Sequence, residues 1–227
     1  MSLIIEFEGI AGCGKTTLCA ALREKLSSRN VPVIHLNEHP MRSYFGGKTG
    51  EWSARLKTAS PRALGHALRF LLASGCFSGA RHVRLLYDLE AVCRHFQRHA
   101  APEAVMVCDQ SLLQTVVSVW GYDDRHTLTP RESRAVRHFL QTAPEAAHFL
   151  CVLPLEEHVA RIRKRGRKKA RLESIERDDV LLEKLKNNEY TLSQVVSLRE
   201  QVGPEPRLDM RKEPETLADE VLACCRK

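Results

Sequence analysis

The residues with the clearest chemistry are Gly9, Gly12, Cys13, Gly14, Lys15, Thr16 and Thr17, inside the stretch L-I-I-E-F-E-G-I-A-G-C-G-K-T-T-L from Leu3 to Leu18. Gly9, Gly14, Lys15 and Thr16 satisfy G-x-x-x-x-G-K-[ST] at every fixed position. This spacing suits a polyphosphate. Glycines let the backbone take left-handed dihedrals and turn its N–H groups inward around the anion. Lys15 then reaches the β- and γ-phosphates and Thr16 holds Mg²⁺ through its hydroxyl, while a helix opening at Lys15 directs its positive end at the same charge. The expected ligand is a nucleoside triphosphate with Mg²⁺. A second G-K-T at Gly47, Lys48 and Thr49 lacks the earlier glycine, since Arg42 stands there, and no apolar strand leads into it. It reads as loop.

Two further groups carry chemistry. Asp109 closes the apolar run Ala104 to Cys108, where a carboxylate can reach the magnesium or its water. Capping of the following helix is the alternative for Asp109. Arg161, Arg163, Lys164, Arg165, Arg167, Lys168, Lys169 and Arg171 form a basic segment that accounts for most of the formal charge of +7. Such a run is either a solvated or nucleic-acid-binding surface or a set of cations for a phosphate group.

Positioning these groups requires a sheet. Leu3, Ile4, Ile5 and Phe7 read as a buried first strand, followed by a helix with Leu18, Ala21, Leu22 and Leu26 on one face. Val31 to Leu36, Ala104 to Cys108, Ala147 to Leu153 and a weak run near Arg207 to Met210 supply four more strands. Helices are expected from Pro61 with Leu64, Leu68, Leu71 and Leu72 on one face, from about Arg81 to His99, from Ser111 to Trp120, and from Thr129 with Glu132 in a capping box. Others run from Leu155 into the basic segment, from Ser174 to about Gln201, and from Pro214 to Cys225. Met41 to Gly50 reads as loop. Alternation of strand and helix predicts one α/β domain over residues 1–227, a five-stranded parallel sheet with helices on both faces and ligands at the carboxyl ends of the strands.

Composition narrows the class. At 227 residues, with 43% apolar and 28% charged residues, the chain is an ordinary globular one. No apolar stretch approaches the roughly 20 residues of a membrane span, and no signal peptide is visible, so a cytoplasmic protein without membrane contact is expected. The eight cysteines are scattered, with no C-x-x-C and no zinc spacing, which fits reduced thiols. Cys13 lies inside the phosphate loop, where oxidation or alkylation would block binding.

Phe7 to Thr17 (F-E-G-I-A-G-C-G-K-T-T) resembles the thymidylate kinase signature F-E-G-x-D-G-x-G-K-T-T. Phe149 to Gly166, followed by Arg171-Leu172-Glu173, is similar to that family's fourth strand, helix and arginine-bearing lid, here about 161–173. The resemblance implies a P-loop nucleoside-monophosphate kinase fold, transfer of the γ-phosphoryl of ATP to an acceptor such as dTMP, and a homodimer. It implies catalytic roles for Lys15, Asp109, Arg163 and Arg171, with Arg161 and Arg167 beside the donor. Because the phosphate loop contains no arginine, the lid has to supply the planar guanidinium that binds two phosphate oxygens at once. The acceptor side departs from the family: Ala11 replaces Asp, Asn37-Glu38-His39 replaces Arg-Glu-Pro, Asp109-Gln110-Ser111 replaces Asp-Arg-Tyr, and Thr115 and Val119 stand where base-reading Ser and Gln are expected. The acceptor thus stays open between a nucleoside monophosphate, another hydroxyl in a nucleoside, metabolite or polynucleotide, and nucleic acid merely bound. Glu8 and Glu38 read either as acceptor-side groups or as polar strand ends, Phe70, Phe77 and Tyr44 as core or loop contacts, and the histidines as surface residues.

Overall fold

The apolar runs pair side by side as strands, so their backbone N–H and C=O groups bond one another, and those at Leu3–Glu8 and Val105–Cys108, at the centre, are the most buried. The structure is a computed structural model and describes residues 2–37, 39–45, 51–74, 80–120, 125–165, 172, 174–201, 203 and 205–225. In chain order the elements are β1 (Leu3–Glu8), α1 (Lys15–Ser28), β2 (Val33–Leu36), α2 (Pro40–Phe45), α3 (Glu51–Thr58), α4 (Pro61–Ser74), α5 (Ala80–His99), β3 (Val105–Cys108), α6 (Leu112–Val119), α7 (Pro130–Thr142), β4 (Ala147–Val152), α8 (Leu155–Arg165), α9 (Asp178–Glu200), β5 (Arg207–Asp209) and α10 (Pro214–Cys224). The strands form one five-stranded sheet in the order β2-β3-β1-β4-β5, every pairing parallel.

Strand alternation splits the core in two. Ile5, Phe7, Val107, Phe149, Cys151 and Leu208 face α1 and α10, where Leu18, Leu22, Leu217 and Val221 close the layer. Ile4, Leu36, Met106 and Cys108 face the opposite layer, built from α5, α6, α7 and α9. The expected α/β sheet with helices on both faces is therefore present, and its carboxyl edge gathers Glu8, Leu36 and Cys108 at the roots of the loops that carry the site. The Thr129 capping box forms as expected, with Thr129 Oγ1 accepting from Glu132 N and Glu132 Oε2 from Thr129 N. Among the described residues no helix is long and apolar enough to cross a membrane. The seven described cysteines are free, Cys76 lying outside the described residues.

Two expectations need correcting. Met41 to Gly50 is not all loop, because α2 starts at Pro40 and α3 follows at Glu51. The Asn37 side chain accepts from His39 N (2.8 Å) and Ser43 Oγ (2.7 Å), proline at the first helical position supplies a pre-set φ, and burial of Met41 anchors the turn. The second G-K-T falls outside the described residues. In α4 three of the four leucines do not face the core: Leu64, Leu68 and Leu72 are 52%, 50% and 65% exposed and only Leu71 is half-buried, beside Ala67 and Val83, whereas Ala63, His66, Ala67 and Phe70 are buried. Phe70 packs edge-on against Phe139 at 5.6 Å and Trp120 at 6.3 Å. His66 reaches Glu90 on α5 through Nδ1 (2.9 Å) and Thr142 on α7 through Nε2 (2.8 Å). Turning the helix to bury the leucines would strip Glu90, which is fully buried, of this partner.

This orientation makes a prediction for urea unfolding. Phe70→Ala should lower stability by about 3–5 kcal/mol, while Leu68→Ala should change it by no more than about 0.5 kcal/mol. Equal losses would mean that the leucine row is in the core after all.

Candidate functional site

The turn between β1 and α1 is held open by backbone that only glycine tolerates. Gly9, Gly12 and Gly14 have φ of 146°, 90° and 108°. A Cβ on Gly9 would lie 2.8 Å from the Cys151 carbonyl oxygen, and one on Gly12 would meet Ile162 Cγ1 at 3.0 Å. Gly14 occupies the N-cap of α1 in the left-handed conformation, so the helix begins at Lys15 as the motif requires.

Lys15 arches back over the turn, its Nζ donating to Gly9 O at 2.5 Å and Ile10 O at 3.2 Å, with Cys13 Sγ 3.6 Å away. Thr16 and Thr17 open the helix with exposed side chains. The Thr16 hydroxyl donates to Asp109 Oδ2 at 3.3 Å, across from β1 to the end of β3. Asp109 does not cap the next helix; Ser111 does, accepting from Gln114 N at 2.9 Å. The structure therefore brings Lys15, Thr16 and Asp109 together.

His35 also belongs to this group and was missed when the histidines were read as surface residues. It sits on β2, its Nε2 3.8 Å from Asp109 Oδ2 and buried without a hydrogen bond. The strand pattern V-I-H-L contains the signal, a histidine one residue before the end of a strand that borders β3.

The helix after β4 braces the loop. His158 is buried with Nδ1 2.9 Å from Ala11 O and Nε2 3.1 Å from Leu153 O, so the neutral ring donates to one of the two carbonyls and the protonated ring to both. Burial pushes its pKa down against the pull of those carbonyls. Arg161 donates to Cys13 O at 2.9 Å and to Met210 O at 2.8 Å, tying the loop to the residue that follows β5. Arg163 goes elsewhere: its guanidinium donates to Asp178 Oδ1 (2.7 Å), Ile175 O (2.6 Å) and Glu176 O (3.0 Å), fastening α8 to the start of α9. Two cations of the basic segment are thus spent inside the protein. Arg167 and Arg171 lie outside the described residues, as do Glu38 and Phe77.

Cys13 is fully buried against Cys151, which withdraws it from bulky reagents. A hydrogen bond from Cys151 and then the Lys15 ammonium hold its thiol well below the ordinary cysteine range. On the acceptor side, Thr115 and Val119 are packed inward and the Thr115 hydroxyl bonds Ser111 O within its own helix at 3.0 Å. Glu8 is fully buried and bound to His148 at 2.9 Å, so it is not a solvent-facing acceptor group. Burial pushes Glu6 and Glu8 up to about 7 and Glu205 to about 8. A cavity of about 680 Å³ opens beside Gly9 and Ile10, between β4 and α9, with Arg125, Lys186 and Arg207 balanced on its walls by Glu183, Glu189 and Glu200.

No family model matches the sequence. A thymidylate kinase from Leptospira borgpetersenii serovar Hardjo-bovis (strain L550) is 47% identical over 36 residues, a segment covering 16% of this chain and 18% of that relative. Whole-chain likeness appears in three dimensions. Structures of deoxyadenosine kinase from M. mycoides, one with the products dCMP and a flexible dCDP and one with dCTP, superpose with TM-scores of 0.54 at 14% identity, covering 99% of both chains. A third, with dATP, gives 0.52 at 15% identity. At this identity the likeness establishes the fold alone.

The Arg161 bridge is testable. Arg161→Ala should weaken binding of a fluorescent ATP analogue about tenfold or more, since two carbonyls lose a charged donor worth about 1–3 kcal/mol. Unchanged affinity with an unchanged circular dichroism spectrum would mean that the bridge does not shape the loop.

Proposed function

We propose that the protein is an ATP-dependent phosphotransferase that moves the γ-phosphoryl group of ATP to a nucleoside monophosphate such as dTMP. The observation that carries this reading is the Thr16–Asp109 contact of 3.3 Å at the mouth of a glycine cradle crossed by Lys15. Hydroxyl and carboxylate oxygens are the donors Mg²⁺ accepts, so Thr16 and Asp109 fit the ion of a Mg²⁺–ATP complex. Mg²⁺ held there would neutralise charge on the phosphates.

The remaining chemistry belongs to the chain's own residues. N–H groups of Gly12 to Thr17 and the Lys15 ammonium hold the phosphates, while Arg161 and His158 keep the loop in shape. The bond from the γ-phosphorus to its bridging oxygen breaks as the acceptor oxygen bonds to it, and Lys15 with the lid cations Arg163, Arg167 and Arg171 stabilises the charge that develops. For Arg163 this requires release from Asp178, so in this reading it is the lid's latch as well as its cation. The reading includes a single kinase domain over residues 1–227, a cytoplasmic location and a homodimer.

A second acceptor class, an unphosphorylated deoxynucleoside, has its own support. Asn37 spends its side-chain oxygen on α2, and Gln110 is neutral, at the two positions where thymidylate kinases carry arginine. Asp109, with His35 behind it at 3.8 Å, would then take the acceptor's hydroxyl proton.

ATP consumption with Mg²⁺ against dTMP, other nucleoside monophosphates and free deoxynucleosides tests both readings. Lys15→Ala should cost about 10²–10³-fold or more in rate, and Asp109→Asn a similar factor together with a higher Mg²⁺ requirement. Arg163→Ala should lower kcat more than it weakens ATP binding. If none of these acceptors supports turnover, both acceptor readings fall, and turnover with nucleosides alone would select the second acceptor class.

A further inference from the structure

Beneath the first glycine of the loop, the sheet buries a cluster of ionisable side chains. Glu6 and Glu8, two apart on β1, point to the same face, and both are fully buried. His148 lies beside Glu6 in the register of β4, its Nδ1 2.9 Å from Glu8 Oε1 and 3.5 Å from Glu6 Oε2. Glu205, just before β5, is buried beside them and within hydrogen-bonding reach of Glu8. One donor atom each from Glu6, Glu8 and His148 lies within 4.8 Å of the others.

Their second oxygens have nothing to bind. Glu6 Oε2 accepts from Leu112 N at 3.1 Å, but Glu6 Oε1, Glu8 Oε2 and both oxygens of Glu205 are buried without a hydrogen-bond donor. Each such group forfeits its hydration. Arg199 is the cation whose field reaches all three carboxylates. A single proton shared between Glu8 and Glu205 would serve that pair and still leave Glu6 Oε1 bare. The cluster also contains an imidazole nitrogen, a donor that hard Mg²⁺ and Ca²⁺ sites do without. Carboxylates with one histidine suit Zn²⁺, Mn²⁺ or Fe²⁺ instead.

We propose that Glu6, Glu8 and His148, with Glu205 beside them, form a buried structural site for a divalent transition-metal ion, separate from the Thr16–Asp109 pair. The ion replaces the missing hydrogen-bond donors and fixes two elements at once. Glu6 holds the first N–H of α6, and Glu8 immediately precedes Gly9, whose own N–H is held by Gln114 of α6 at 3.3 Å. Occupancy therefore sets the root of the phosphate loop against α6.

The test uses the full chain, stripped with a chelator and titrated with ZnCl₂ or MnCl₂. The expected result is one ion per chain after gel filtration, by elemental analysis, and a rise in Tm of about 5 °C or more at saturating metal. His148→Gln and Glu8→Gln should lose both the ion and the shift, while Asp109→Asn keeps both. Absence of a bound ion, retention by His148→Gln and Glu8→Gln, or loss only in Asp109→Asn would overturn the proposal. Glu6 also lies within 4.8 Å of the Cys93 and Cys108 sulfurs, which supplies a decision that needs no variant. Co²⁺ in the wild-type protein should show ligand-field bands without sulfur-to-cobalt charge transfer, and a thiolate band would move the ion to the cysteines and refute the assignment.

Discussion

A loop that turns its N–H groups toward one point necessarily turns its carbonyls away from it, and those carbonyls are buried against protein. The rest of the structure depends on satisfying them. Gly9 O and Ile10 O are taken by Lys15, Ala11 O by His158 and Cys13 O by Arg161. Gly9 N, at the root of the turn, is taken by Gln114. The donors come from α1, α8 and α6, so three helices have to be in place before the glycines hold a phosphate-shaped turn. Glycine makes the conformation allowable, and the outward hydrogen bonds make it the one adopted.

The two faces of the sheet are unequal in consequence. The face covered by α1 and α10 is almost wholly apolar and packs Phe7 on Phe149 at 5.9 Å. The other face buries Glu6, Glu8, Glu90, Glu132 and His66 among its leucines and valines. Each of these charges reaches between elements: His66 and Glu90 join α4 to α5, and Glu132 takes Trp120 Nε1 at 2.6 Å. Apolar packing makes one face cohesive, while directional bonds fix the relative placement of helices on the other.

Local pattern made much of this legible. The phosphate loop, the five parallel strands and Asp109 follow from short apolar runs and fixed spacings, because those features are decided within a few residues. What escaped was decided across the chain. The pairing of Glu8 with His148 joins positions 140 apart, and nothing local distinguishes a buried glutamate from one at the frayed end of a strand. The orientation of α4 was misread because leucine is more apolar than histidine, yet the buried face is chosen by what Phe70 and His66 find on α7 and α5. Arg163 matched a lid position by its place in a motif, and its partners at Ile175 to Asp178 come from a turn whose path spacing does not reveal. Asn37 lacked a visible role until the helix it caps was seen.

The braces on the phosphate loop have a consequence for biosynthesis. The nucleotide motif emerges from the ribosome early, but the side chains that hold its carbonyls follow 147 and 148 residues later. Until α8 has been synthesised and docked, the glycine-rich stretch is an unbraced chain with no fixed anion pocket. A nascent or prematurely terminated product therefore carries the motif without the braced turn.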